Sequence, residues 1–196
     1  MNDGEAAARM PPGAVTLGEV TLARVWNLRG EATQGAFVSE ASRLLALPLP
    51  LDPLSSAARA EAVVLWLGPR AWLYVDGEAS AAGEFETARR AINAAGGALF
   101  DVSASYVAWR VTGECAARVL NRGCPLDLRP AAFPPGRCAQ SVLGHVNALF
   151  YRPDEGAAFI VMVARSFASD AWQVMCDAAT TEGYRVAEPA AFVARG

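Results

Sequence analysis

The chain has 196 residues, enough for one substantial core or at most two small domains. Its net charge of −3 includes 17 basic residues, all arginine and scattered, so no basic stripe serves nucleic acid and no lysine serves Schiff-base chemistry. Hydrophobic residues make up 53% of the chain and mean hydropathy is +0.21, which predicts apolar surface covered by another subunit. No apolar run approaches the ~18–20 residues of a membrane span. The N-terminus carries Asp3 and Glu5 and lacks a basic-then-apolar leader, so a cytoplasmic protein is expected.

Residues 1–18, rich in Ala, Gly and Pro and without periodicity, read as an N-terminal arm, flexible or docked on a partner. Residues 19–196 read as a single domain. Val20 to Arg29 reads as a strand interrupted by Arg24, and Phe37, Ala41, Leu44 and Leu45 mark an amphipathic helix. A proline-rich connection follows over residues 47–53. Glu61 to Leu67 and Ala71 to Val75 form two apolar runs joined by Gly68-Pro69-Arg70, a hairpin signal. A helix is predicted over 80–95, with Gly96-Gly97 as its left-handed cap. Strands follow at Leu99–Ser103 and Tyr106–Val111, then a brief helix over Glu114–Asn121 that Gly123 terminates.

The run Gly123 to Cys138 (GCPLDLRPAAFPPGRC) holds four prolines and two of the four cysteines. Each proline removes a backbone donor and fixes φ, so neither helix nor central strand fits. Its apolar content (Leu126, Leu128, Phe133) predicts an ordered, rigid loop pressed against something. Beyond it, Gln140 to Arg152 contains strand-like runs broken at Gly144, and Ala157 to Ala164 reads as a buried strand. Phe167, Ala171, Val174, Met175 and Ala178 form a helical face with Ser166 as the expected N-cap. A last strand is expected at Tyr184–Ala187. Residues 20–103 and 105–187 both read βαββαβ, so the predicted class is α+β, with duplicated halves and antiparallel sheets covered by helices.

Catalytic groups are hard to find in the sequence. His145 stands without an acid or serine signature and reads as structural. Asp101 reads as a residue that binds the next turn's backbone rather than a general base. Asp127, between Leu126 and Leu128, must find donors, either by capping a local turn or by pairing with Arg129 or Arg137. Cys124, Cys138 and His145 match no common zinc spacing, and the four cysteines read as reduced thiols. The GxGxxG, Walker A and GxSxG patterns are absent. A binding or assembly module is the expectation, with no catalytic, cofactor-binding or metal residues in this chain.

The run from Gly123 to Ser141 resembles the signature stretch of the gamma-subunit family of heterotetrameric sarcosine oxidases. The segments LGPRAWL (67–73), Asp-Val-Ser (101–103), Val-Thr-Gly (111–113) and ARSFA (164–168) with Trp172 follow in the matching order. Together they span about residues 20 to 185; Ser141 stands where threonine is expected. That family is similar to the folate-binding domain of glycine-cleavage aminomethyltransferase, a duplicated α+β fold. In the aminomethyltransferase an essential aspartate lies in the strand region after the loop; here the matching stretch, His145 to Leu149, has no acid.

The resemblance implies an accessory subunit packed against alpha, beta and delta partners in a complex that demethylates sarcosine to glycine. The one-carbon unit passes to tetrahydrofolate. FAD, FMN, NAD, tetrahydrofolate and zinc are implied in the partner subunits and no cofactor in this chain. Expected interface residues are Pro125, Asp127, Leu128, Phe133 and Arg137. Two alternatives stay open: a stand-alone folate-binding aminomethyltransferase-like protein, and the equivalent subunit of a sibling complex acting on another N-methylated amino acid.

Overall fold

The computed structural model describes residues 15–153 and 157–194. Eleven strands and four helices longer than one turn follow in order: β1 Val15–Thr21, β2 Arg24–Arg29, α1 Gly35–Leu45, β3 Ser56–Arg59, β4 Ala62–Gly68, β5 Ala71–Asp76, α2 Glu84–Ala94, β6 Ala98–Asp101, β7 Tyr106–Thr112, α3 Ala116–Leu120, β8 Cys138–Leu143, β9 Val146–Tyr151, β10 Ala158–Ala164, α4 Ala168–Ala179 and β11 Tyr184–Ala191. No helix among them is long and apolar enough to cross a membrane.

One sheet runs β3-β4-β5-β2-β6 and the other β8-β9-β10-β7-β1-β11. The second order repeats the first, with β1 inserted between β7 and β11. β1 pairs antiparallel with β7 and parallel with β11, so β11 keeps the direction relative to β7 that β6 has relative to β2. The duplication therefore holds, and each half contains one more strand than its pattern predicts. In the first half the addition is β3, whose sequence Ser-Ala-Ala-Arg carries almost no strand propensity. In the second half the 140–152 run divides into β8 and β9 at a turn where Gly144 takes φ 61°.

The layers are helices, sheet, sheet, helices. Trp26, Leu28, Val64, Trp72 and Tyr74 face α1 and α2, where Phe37, Ala41, Ala88 and Ile92 meet them. Val63, Leu65, Leu73 and Val75 point the other way, onto Ala108, Leu149, Tyr151, Ile160 and Met162 of the second sheet. That sheet's outer face, with Leu17, Val111, Phe159 and Val161, is covered by Val119, Leu120, Ala171 and Met175 of α3 and α4. Sheets covered on both faces need apolar residues at successive positions. β5 is buried at all six positions and β10 at six of seven.

The expected strand over 20–29 is two strands in two sheets. The chain leaves β1 at Thr21, turns through Leu22 and Ala23, and enters β2 at Arg24. Of the expected arm, residues 1–14 lie outside the described residues, and Val15 to Gly18 open β1 because Val15 and Leu17 are core residues. α4 has Phe167 at its N-cap position without a side-chain cap bond, preceded by a single 3-10 turn over Arg165–Phe167, so Ser166 does not cap it. Gly96 does take the left-handed conformation, φ 87°, and Gly97 sits so close to the Phe37 ring that a Cβ there would lie 2.5 Å from it.

Arg24 is fixed by the most buried polar group of the fold. Asp76, with no exposed surface, accepts from Arg24 Nη2 at 2.7 Å, from Arg59 Nη2 at 3.0 Å and from the Tyr74 hydroxyl; its other oxygen accepts from the Glu78 N–H at 2.9 Å. The second Arg24 amino group pairs with Glu84 of α2. Burial, then the bond to Asp76, pushes the Tyr74 hydroxyl up to about 12, so it stays a donor. Removing one partner leaves a buried charge alone, whereas replacing both with apolar groups is far milder. Asp76→Ala is expected to lower unfolding free energy by about 3–5 kcal/mol in chemical denaturation, and Arg24→Met with Asp76→Leu by clearly less.

Candidate functional site: the proline-bearing loop

The loop between α3 and β8 has no regular structure from Asn121 to Arg137, yet it is tied at many points. Asn121, the last residue of the helical turn, holds its first half. Its side-chain amide donates to the Leu126 carbonyl and, at 3.4 Å, to that of Cys124, while its oxygen accepts from the Leu128 N–H at 3.2 Å. A second turn follows, with the N–H groups of Ala132 and Phe133 both donating to the Arg129 carbonyl, at 3.0 and 2.8 Å.

Arg152, just past the end of β9, holds the second half. Its guanidinium donates to the Phe133 carbonyl at 2.7 Å and lies 5.5 Å from the Phe159 ring centroid; its backbone exchanges bonds with Gly136 and Arg137. Across to the first half of the chain, the Ser56 hydroxyl donates to the Gly136 carbonyl at 2.6 Å. The Cys138 N–H donates to the Leu54 carbonyl at 2.9 Å. The loop therefore links the two sheets at their β3 and β8 edges.

The five expected interface residues divide by this anchoring. Leu128 is fully buried and Phe133 is 4% exposed, both in the core under α3 and against Phe159. They hold the loop down and present nothing outward. Pro125 and Asp127 are exposed, with Arg129, Pro130, Pro134 and Pro135 beside them, and Arg137 is half-buried. Pro125, Asp127 and Arg129 line an open groove of about 760 Å³ together with Arg118 of α3 and Arg122 just after it. Arg118 and Arg122 both pair with Glu182, at 2.6 and 2.7 Å.

Asp127 pairs with Arg129 and not with Arg137. Its carboxylate accepts from Nε at 2.9 Å, from Nη2 at 2.6 Å and from the Arg129 N–H at 3.0 Å, which pulls it down to about 2. A depressed carboxylate contributes order that is present above its ordinary value and lost as pH falls through the depressed one. The turn is therefore expected to loosen between about pH 4 and 2. NMR titration should show the Asp127 carboxyl titrating near 2 and the Arg129 amide moving with it, a response absent in Asp127→Asn.

Asp101 accepts from both the N–H and the hydroxyl of Ser103, whose oxygen accepts from the Val25 N–H at 2.9 Å, so it orders the turn after β6. His145 lies at the β8–β9 turn, outside both strands, with a 72% exposed side chain 3.6 Å from Asp170. The Cys138 thiol donates to the carbonyls of Ser55 and Trp66, and burial pushes it up to about 12; burial also raises Cys124. Neither is a thiolate nucleophile near neutral pH. No cluster of three or more His, Cys, Asp or Glu side chains suited to a metal occurs among the described residues. Asn121 was invisible to sequence reasoning, because its role depends on loop carbonyls three and five residues ahead. Asn121→Ala is expected to cost about 1–3 kcal/mol and to speed hydrogen exchange at the Leu128 amide.

The profile of the sarcosine oxidase gamma subunit family matches residues 29–181, which contain the whole loop and run from the end of β2 to the turn after α4. The chain belongs to that family. Curated gamma subunits from an Arthrobacter species and from Corynebacterium sp. strain U-96 are each 31% identical to it. The Arthrobacter match covers 76% of this chain and 72% of its relative, the Corynebacterium match 77% and 73%. Among solved structures, a chain of heterotetrameric sarcosine oxidase from Corynebacterium sp. U-96, in complex with pyrrole 2-carboxylate, superposes with TM-score 0.81. That pair shares 25% identity and covers 90% of this chain and 89% of the other. Aminomethyltransferase T of the glycine cleavage system from Bartonella henselae superposes with TM-score 0.60 at 12% identity, over 90% of this chain and 48% of the other. The gamma-subunit family thus shares its duplicated fold with part of that aminomethyltransferase.

Proposed function

We propose that this chain is the accessory gamma subunit of a heterotetrameric sarcosine oxidase and contributes architecture rather than reacting groups. The observation that carries this reading is the near-complete superposition on a chain of such a complex, over 90% of one and 89% of the other. The chemistry of the site supports it: the one carboxylate of the loop is neutralised by its own arginine, and the buried thiols are held protonated. Alpha, beta and delta subunits are the proposed partners, in the cytoplasm. FAD, FMN, NAD, zinc and tetrahydrofolate belong in this proposal to those partners, with sarcosine oxidised to glycine and its methyl carbon passed to the folate.

The exposed side of the loop, from Pro125 through Asp127 to Pro135, is the proposed contact surface, with Leu128 and Phe133 setting its shape from beneath. Four prolines and two anchored turns leave little backbone entropy to lose on docking.

Co-expression of the tagged chain with the other subunits tests the reading. Recovery of one assembly with flavin absorbance, oxidising sarcosine, is the expected result. A chain recovered alone, and in particular one that binds tetrahydrofolate by itself, would overturn it in favour of a free-standing aminomethyltransferase-like protein. Pro130→Gly with Pro134→Gly is expected to weaken co-purification while leaving the chain folded, read by circular dichroism and by the yield of assembled complex.

A further inference from the structure

The two halves treat one position in the fold differently. In the first half, β2 and the start of α2 form an aromatic and acidic surround that is filled by the chain's own cation. The Arg24 guanidinium lies 5.1 Å from the Trp26 ring centroid and 5.5 Å from that of Tyr74, and pairs with Asp76 and Glu84. β7 holds in its sheet the place of β2, and Trp109 sits on it facing the helices as Trp26 does. Register shows what changed. Arg24 opposite Asp76 and Trp26 opposite Tyr74 become Val107 opposite Val163 and Trp109 opposite Val161. The internal cation and its carboxylate have gone.

Beside Trp109 the fold leaves a groove of about 570 Å³, between the start of α4 and strands β1 and β11. Trp172 of α4 stacks on Trp109, with centroids 6.2 Å apart and planes at 29°. Glu19, directly opposite Trp109 on β1, and Glu188 on β11 bring two exposed carboxylates to the groove. Neither has an ion-pair partner among the described residues, and Trp109 is 5% exposed. Val186 in the groove wall is 62% exposed, and Phe167, just before α4, is 46% exposed, so apolar surface flanks the same opening.

We propose that this groove seats an arginine side chain of another subunit, its guanidinium over the indoles and paired with Glu19 and Glu188, as Arg24 is seated within the first half. The inference rests on the assembly proposed above. A planar guanidinium suits stacking and carboxylate pairing together, which an ammonium does not, and arginine with tryptophan is a recurrent anchor of protein interfaces.

The test uses the co-expressed complex with the photoreactive residue p-benzoylphenylalanine in place of Ser169 in the groove wall. Irradiation and peptide mass spectrometry are expected to find Ser169's position linked to an arginine-containing peptide of another subunit. Glu19→Gln with Glu188→Gln, both exposed and outside the core, is expected to cut that cross-link about tenfold at low salt, with less difference at high salt. An assembled complex with no link at this position, a link only within this chain, or a link to a peptide without arginine would overturn the proposal. So would a yield indifferent to the glutamate changes. A chain that purifies without other subunits would instead overturn the assembly reading itself.

Discussion

The passage of the chain between its two sheets depends on a buried carboxylate. Asp76 closes β5 at the point where β2 begins, and with Arg24, Arg59 and Tyr74 it fills a position where an unpaired charge would be costly. Because Arg24 must reach it, the chain cannot run straight from β1 into β2. The Ala23 N–H donates to the Asp76 carbonyl at 3.1 Å, so the turn is held by the same residue through its backbone. Past Asp76, Gly77 lies against the Phe192 carbonyl, so close that a Cβ would be 2.3 Å away. The C-terminal segment is thereby pressed onto the crossing, with Phe192 donating its N–H to Thr21 and sinking its ring between the sheets.

That crossing makes the halves unequal. In the first sheet β6 joins β2 directly, whereas in the second β1 lies between β7 and β11. An N-terminal strand thus completes the C-terminal half, and neither half can be lifted from the other without breaking a sheet. The inner faces of both sheets share one apolar layer, so the halves also have a core in common.

The loop from Gly123 to Cys138 spends its apolar residues inward. Leu128 and Phe133 complete the core under α3, Arg152 stacks beside Phe159 and holds the loop's carbonyl, and prolines and ion-paired side chains face out. The loop's pattern is the pattern of a clamp, in which rigidity comes from proline and from turns closed by Asn121 and Arg129.

By itself the sequence determined the α+β class, the duplication, all four helices, the hairpin at Gly68-Pro69-Arg70 and the absence of helix and strand from the proline loop. Each rests on local periodicity or on the backbone limits of Gly and Pro, which neighbours along the chain suffice to express. The long motif around that loop also pointed to the family. Tertiary structure alone decided the rest. It divided Val15 to Arg29 between two sheets, because Arg24 answers a carboxylate 52 residues away. It turned the low-propensity Ser56–Arg59 into a strand by giving it β4 as a template. It sent Leu128 and Phe133 into the core, since exposure depends on what packs beneath a loop. And it brought Glu19, Trp109, Trp172 and Glu188 to one groove, a set spread over 170 residues that only sheet order and helix placement assemble.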